Sequence, residues 1–148
     1  MEVLKFCKVG DVKSPARANR FDAGIDFFVP NDFKKVSLEH GESVLIDGQI
    51  KVDVPRGWAL VFENKSGVSS KKRLDVMACV VDHGYKGVVH YNLINNGKET
   101  VDIFAGDKII QGVMYEVGSH VPQEWDESGM WLDAESDRGE GGFGSTGN

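Results

Sequence analysis

The stretch "GQIKVDV", residues 48–54, alternates without a break. Ile50, Val52 and Val54 fall on one face, and Gln49, Lys51 and Asp53 on the other. Successive side chains of an extended chain point to opposite faces, so a period of two marks a strand with one side buried. The pattern recurs in "VVHYNLI" (88–94), where Val89, Tyr91 and Leu93 oppose His90 and Asn92, and again in "ETVDIF" (99–104) and "DKIIQGVMYEV" (107–117). Turn signals such as "PRG" (55–57), "NNGK" (95–98) and "FAGD" (104–107) separate these runs at short intervals. A helical period is confined to about one turn around "SGVSSKK" (66–72). Many short strands joined by glycine-bearing turns predict an all-β subunit, a distorted jelly roll or β-sandwich.

The bulk composition agrees with one such domain. The chain has 148 residues, of which 41% are hydrophobic, enough for a core. The formal net charge of −6 argues against a protein that grips nucleic-acid backbones, although a small polyanion held by a few local groups stays possible. Cys7 and Cys79 are too few for a disulfide framework or a zinc site. The opening "MEVLKFCKVG" lacks the pattern of a signal peptide, and no apolar run is long enough to span a membrane. The expectation is a cytoplasmic protein with no membrane or nucleic-acid partner. Apolar residues thin out near the end, and five glycines lie between Gly139 and Gly147. Residues 1–130 are therefore expected to form the body, and 131–148 a flexible, glycine-rich C-terminal arm.

Five short stretches do not read as ordinary strand or turn. In "DAGIDFFVP" (22–30), Asp26 interrupts an apolar strand, and a water-facing edge position is its ordinary explanation. In "ENKSGVSS" (63–70), Lys65, Ser66 and Gly67 combine a charge, a hydroxyl and a permissive backbone, which can cradle a phosphate; a lysine-rich surface turn is the alternative. In "CVVDHGYKGVVHYNL" (79–93), Asp82 follows an apolar run at the mouth of a hairpin, where a carboxylate can act as general base, and Tyr85 offers a flat ring. Gln111 shares parity with Ile109, Val113 and Tyr115, so a regular strand would bury its amide with them and oblige it to find partners. The last stretch, "DRGEGGFGSTGN" (137–148), sets Arg138, Phe143, Ser145 and Thr146 among glycines that are costly to order without a ligand. Together these groups suit a planar base, a sugar and a phosphate chain.

The order and identity of "AGIDFF", "KSG", "VVDHGYKG", "GDKIIQG" and "RGEGGFGSTG" resemble the five motifs of the homotrimeric dUTP pyrophosphatases, over roughly Val3 to Gly147. The resemblance implies a trimer of jelly-roll subunits whose active sites lie at subunit interfaces, and Mg²⁺-dependent hydrolysis of dUTP to dUMP and pyrophosphate. It implies Asp82 as the base for the attacking water and Asp26 as a magnesium ligand through water. Tyr85 would lie against the deoxyribose. The backbone of Cys79, Val80, Val81 and Asp82, with its continuation at His90, would read uracil. Lys65, Ser66, Gly67 and Gln111 would contact phosphates, and Arg138, Phe143, Gly144, Ser145 and Thr146 would close as a lid. The chain departs from the family pattern at Lys65, where arginine is usual, at Cys79, where glycine is, and at Val88 and His90; "EWDESGMWL" (124–132) is longer and more aromatic than typical. Two other readings compete. A dCTP deaminase of the same superfamily would need an acid–base group for the exocyclic amine, and the third motif carries no matching glutamate. A dUTP-binding regulator would use the same site to act on a protein partner.

Overall fold

The computed structural model describes residues 3–130. The chain divides into two compact units, Met1–Gly118 and Ser119–Asn148. The first ends earlier than the composition break near residue 130.

Eleven strands and two short helices form among the described residues: β1 (Lys5–Lys8), β2 (Ile25–Phe27), β3 (Val36–Leu38), β4 (Ser43–Asp47), β5 (Ile50–Asp53), β6 (Trp58–Asn64), α1 (Ser66–Lys72), β7 (Leu74–Val76), β8 (Val80–Val81), β9 (His90–Asn95), β10 (Val101–Ile103), β11 (Ile110–Glu116) and, in the second unit, α2 (Glu127–Met130). The fold is all-β in character, as the period of two predicts. All named strand pairs are antiparallel and build four small sheets, ordered β2–β11–β6–β8, β4–β9–β7, β1–β5 and β10–β3.

The alternation read from the sequence is the burial pattern of the fold. Ile50, Val52 and Val54 are buried, as are Val89, Tyr91 and Leu93, while Lys51, Asp53 and His90 are exposed. Phe27 of β2 and Phe62 of β6 meet Tyr91 of β9 edge to face, with ring centroids 6.2 and 5.5 Å from it. These contacts join the four-stranded sheet to the three-stranded one, so the two pack face to face around one core. Parity misleads in β11. The buried residues there are Ile110 and Gly112, and Gln111 is only half-buried. The strand begins at Ile110, after Ile109 has already entered the core from the preceding turn, and this breaks the simple alternation.

Candidate active site

Two groups of predicted residues come together in separate places. The first forms where β2, the end of β6, the start of α1 and β11 converge. β11 pairs with β2 on one side and β6 on the other, so Gln111 lies opposite both Asp26 and Glu63. The Gln111 Nε2 donates to the Asn64 carbonyl at 2.8 Å. Lys65 follows Asn64 and is the N-terminal cap of α1, with extended backbone and no side-chain capping bond. Its side chain is thereby left to reach across to Asp26. The amides of Ser66 and Gly67 precede the first intrahelical bonds, which run from Val68 and Ser69 to the Lys65 carbonyl.

Asp26 is not a water-facing edge residue. It is 5% exposed, and its backbone is bonded in both directions to Ala16. One carboxylate oxygen takes the Lys65 ammonium and the other takes Lys108 Nζ at 3.0 Å. Burial pushes the Asp26 carboxyl up, but hydrogen bonds and charge from Lys65 and Lys108 more than offset it and hold the group below the ordinary carboxylate value. The sequence reading missed Lys108. Its signal was present in "GDKIIQG", where a cation stands three positions before Gln111 in the same strand-initiating turn. The cluster meets the expected magnesium role with a difficulty. One carboxylate facing two ammonium groups has a local formal charge of +1, which suits an anion and repels a bare divalent ion. Among the described residues, no three His, Cys, Asp or Glu side chains gather to hold a metal. As a metal site made by the protein alone, these residues do not fit.

The second group lines a cavity of about 250 Å³ formed by Phe62, Cys79, Val80, Val81, Asp82, Tyr85, Val88 and His90, with Ala78 and Val89. None of Asp26, Lys65, Ser66, Gly67 or Gln111 lies on its wall. The strand β8 pairs with β6, and the Phe62 amide donates to the Cys79 carbonyl at 2.8 Å, so the cavity is anchored to the core. Asp82 is exposed at the end of β8, and Gly84, with φ of +86°, turns the chain. His83 Nδ1 donates to the Val54 carbonyl at 2.7 Å and ties the turn to the end of β5. Tyr85 is 46% exposed, and its hydroxyl donates to the Val88 carbonyl at 3.0 Å. The same carbonyl accepts from His90 Nδ1 at 3.0 Å. The ring crosses directly over Gly87, where an added Cβ would stand 2.3 Å from the Tyr85 oxygen. A cavity of this size is smaller than the roughly 300–1,000 Å³ of pockets that enclose larger ligands.

Residues 11–147 match the dUTPase family. The chain belongs to that family. A deoxyuridine 5'-triphosphate nucleotidohydrolase of Clostridium acetobutylicum is 35% identical over 147 residues, covering 97% of this chain and 96% of the relative. Among solved structures, a Staphylococcus bacteriophage 80alpha dUTPase with dUPNHPP is 26% identical with a TM-score of 0.84, and each chain is covered in full. The dUTPase of phage phi11 of S. aureus, as a D95N mutant with a structural Mg(II) ion, gives a TM-score of 0.75 at 25% identity over 85% of this chain and 98% of that one. The jelly-roll reading of this dUTPase-family chain therefore stands. Arg138, Phe143, Gly144, Ser145 and Thr146 lie outside the described residues, although the family match takes in their positions. No helix among the described residues is long and apolar enough to cross a membrane.

Proposed function

We infer that the protein hydrolyses dUTP to dUMP and pyrophosphate. The observation that carries this is the hairpin cavity, which has an exposed carboxylate, Asp82, and a fixed aromatic ring, Tyr85, on one wall within the residues that match the family. Phosphoanhydride hydrolysis asks a protein mainly for positioning and charge neutralisation. The cavity takes the uracil, and the Tyr85 ring lies along the deoxyribose. Asp82 orients a water and accepts its proton as the oxygen attacks phosphorus; the phosphoanhydride bond breaks and pyrophosphate leaves. Lys65, Ser66, Gly67 and Gln111 receive the phosphates. Magnesium is the cofactor we assign; bound together with the triphosphate it would neutralise phosphate charge, and Asp26 would hold it through water. The lid assigned to Arg138, Phe143, Gly144, Ser145 and Thr146 completes the site.

The functional unit is a homotrimer. Two features support it. The phosphate group and the base group line separate places in one chain, an arrangement that a second copy would complete into shared sites. A concavity of about 630 Å³, walled by Leu4, Phe6, Phe21, Trp58 and Met114 among others, also leaves a large apolar surface for an interface to cover.

The test is to mix the protein with each deoxynucleoside triphosphate and Mg²⁺ and to measure pyrophosphate. Release from dUTP alone supports the reading; ammonia from dCTP would replace it with deamination. Asp82→Asn should keep dUTP binding and lose roughly a hundredfold or more in turnover. A second reading, regulation of a protein partner through dUTP binding, rests on the likeness to phage dUTPases described as controlling transfer of virulence genes by a G protein-like mechanism. It is compatible with hydrolysis.

A further inference from the structure

A general base acts only from a fixed place, and little holds Asp82 from within its own loop. The strand pairing that carries the chain to it ends at Val81, opposite Leu60. Residues 82–85 then turn, with Gly84 at a φ of +86° in the third position. The bond that closes this turn, from the Tyr85 amide to the Asp82 carbonyl, is 3.3 Å long, whereas such bonds usually settle at about 2.9–3.0 Å. The Tyr85 hydroxyl bonds to Val88, inside the same loop. The far end is held at Val89, whose amide and carbonyl bond to Ile50 and Gly48.

One bond reaches outside the loop next to Asp82. His83, the following residue, places Nδ1 2.7 Å from the Val54 carbonyl. A carbonyl only accepts, so Nδ1 carries the proton and donates. Val54 is 1% exposed, so the acceptor belongs to the core. Among the described residues, no other hydrogen bond or ion pair ties 82–87 to an element outside the loop. We propose that His83 is a positioning residue for the hydrolysis: its ring pins the loop just past β5 and so keeps Asp82 within reach of the attacking water. Strand β8 fixes Asp82 from one side, and His83 fixes it from the other. A displacement of about 1 Å can cost as much as about a hundredfold in rate, so an anchor on the adjacent residue acts on turnover through Asp82. The base cavity keeps supports of its own, Cys79 on Phe62 and Tyr85 on Val88, and nucleotide affinity does not depend on the anchor. This inference rests on the dUTP reading.

The experiment compares pyrophosphate release from dUTP with Mg²⁺ and calorimetric binding of dUPNHPP in the full-length protein and its variants. His83→Ala should lower kcat by about tenfold or more, while the analogue binds within about threefold of wild type. His83→Asn puts its amide nitrogen where Nδ1 stands and should keep kcat within about threefold. His83→Gln carries its amide one bond farther out and should resemble His83→Ala. Coupling reveals the route: in an Asp82→Asn background, His83→Ala should cost less than about twofold. Additive losses in that double variant, wild-type kcat in His83→Ala, or a His83→Asn protein as slow as His83→Ala would overturn the proposal and leave the dUTP reading intact. Affinity that falls as far as kcat does the same, since the loop would then matter to binding as a whole. Wild type that releases no pyrophosphate from dUTP overturns both.

Discussion

Gly87→Ala should weaken the site without unfolding the protein. A Cβ at residue 87 would stand 2.3 Å from the oxygen and 2.5 Å from Cζ of Tyr85. Carbon contacts settle near 3.5–4.0 Å, so the ring must move by more than an ångström. The backbone is not what resists: among the described residues the glycines with positive φ are Gly41, Gly57, Gly84 and Gly106. The ring swings away and its hydrogen bond to the Val88 carbonyl is lost. The hydrogen bond is internal, so its loss falls on stability, by at most about 1 kcal/mol. The aromatic contact with substrate is worth about 1 kcal/mol, or roughly fivefold in kcat/KM. Nothing further should be lost from stability, because Tyr85 is 46% exposed and carries little of the core. Gly84→Ala is the matched control. It has nothing within 4 Å of the new Cβ but a φ of +86°, so it should cost about 1–2 kcal/mol of stability through backbone strain instead. Steady-state pyrophosphate release and thermal melting of both variants separate the two effects. Wild-type kcat/KM in Gly87→Ala would mean that the Tyr85 ring does not touch the substrate.

Other outcomes follow from the same geometry. Tyr91→Phe should raise Tm by about 2–4 °C, since the Tyr91 hydroxyl is fully buried with no hydrogen-bond partner among the described residues and removing it relieves about 1 kcal/mol; a lower Tm would reveal a partner, such as a buried water. Asp75 accepts from Asn96, Ser69 and Asn64, and these bonds, Asn96 and Ser69 foremost, hold its carboxyl below the ordinary value. A depressed carboxylate contributes stability that is complete above its unfolded pKa, about 3.9, and is lost as pH falls through the folded value. Asp75→Asn should therefore cost about 1 kcal/mol at neutral pH and flatten the acid limb of a urea-midpoint profile; parallel profiles would refute this. Sedimentation should show a trimer, and a fully active monomer would sink the shared-site reading.

Much of the fold was legible because strand burial is a local property. In β5 and β9 the pleat alone decides which side chains share a face, so Ile50, Val52, Val89, Tyr91 and Leu93 declared themselves from spacing. The order of the five motifs is likewise a property of the chain, and it singled out the residues proposed for both halves of the site. Tertiary structure decided what could not be local. Asp26 looked like a solvated edge residue because its partners are remote: Lys65 lies 39 positions on, and Lys108 comes from another strand's turn. Gln111 was assigned to the buried face because period counting assumes that the strand runs unbroken through Ile109, whereas pairing with β2 and β6 starts at Ile110. The support of the Tyr85 ring by Gly87 and the Val88 carbonyl depends on how tightly the hairpin closes. Periodicity states which face a residue occupies. Charge pairing and ring placement are set by what the fold brings to that face.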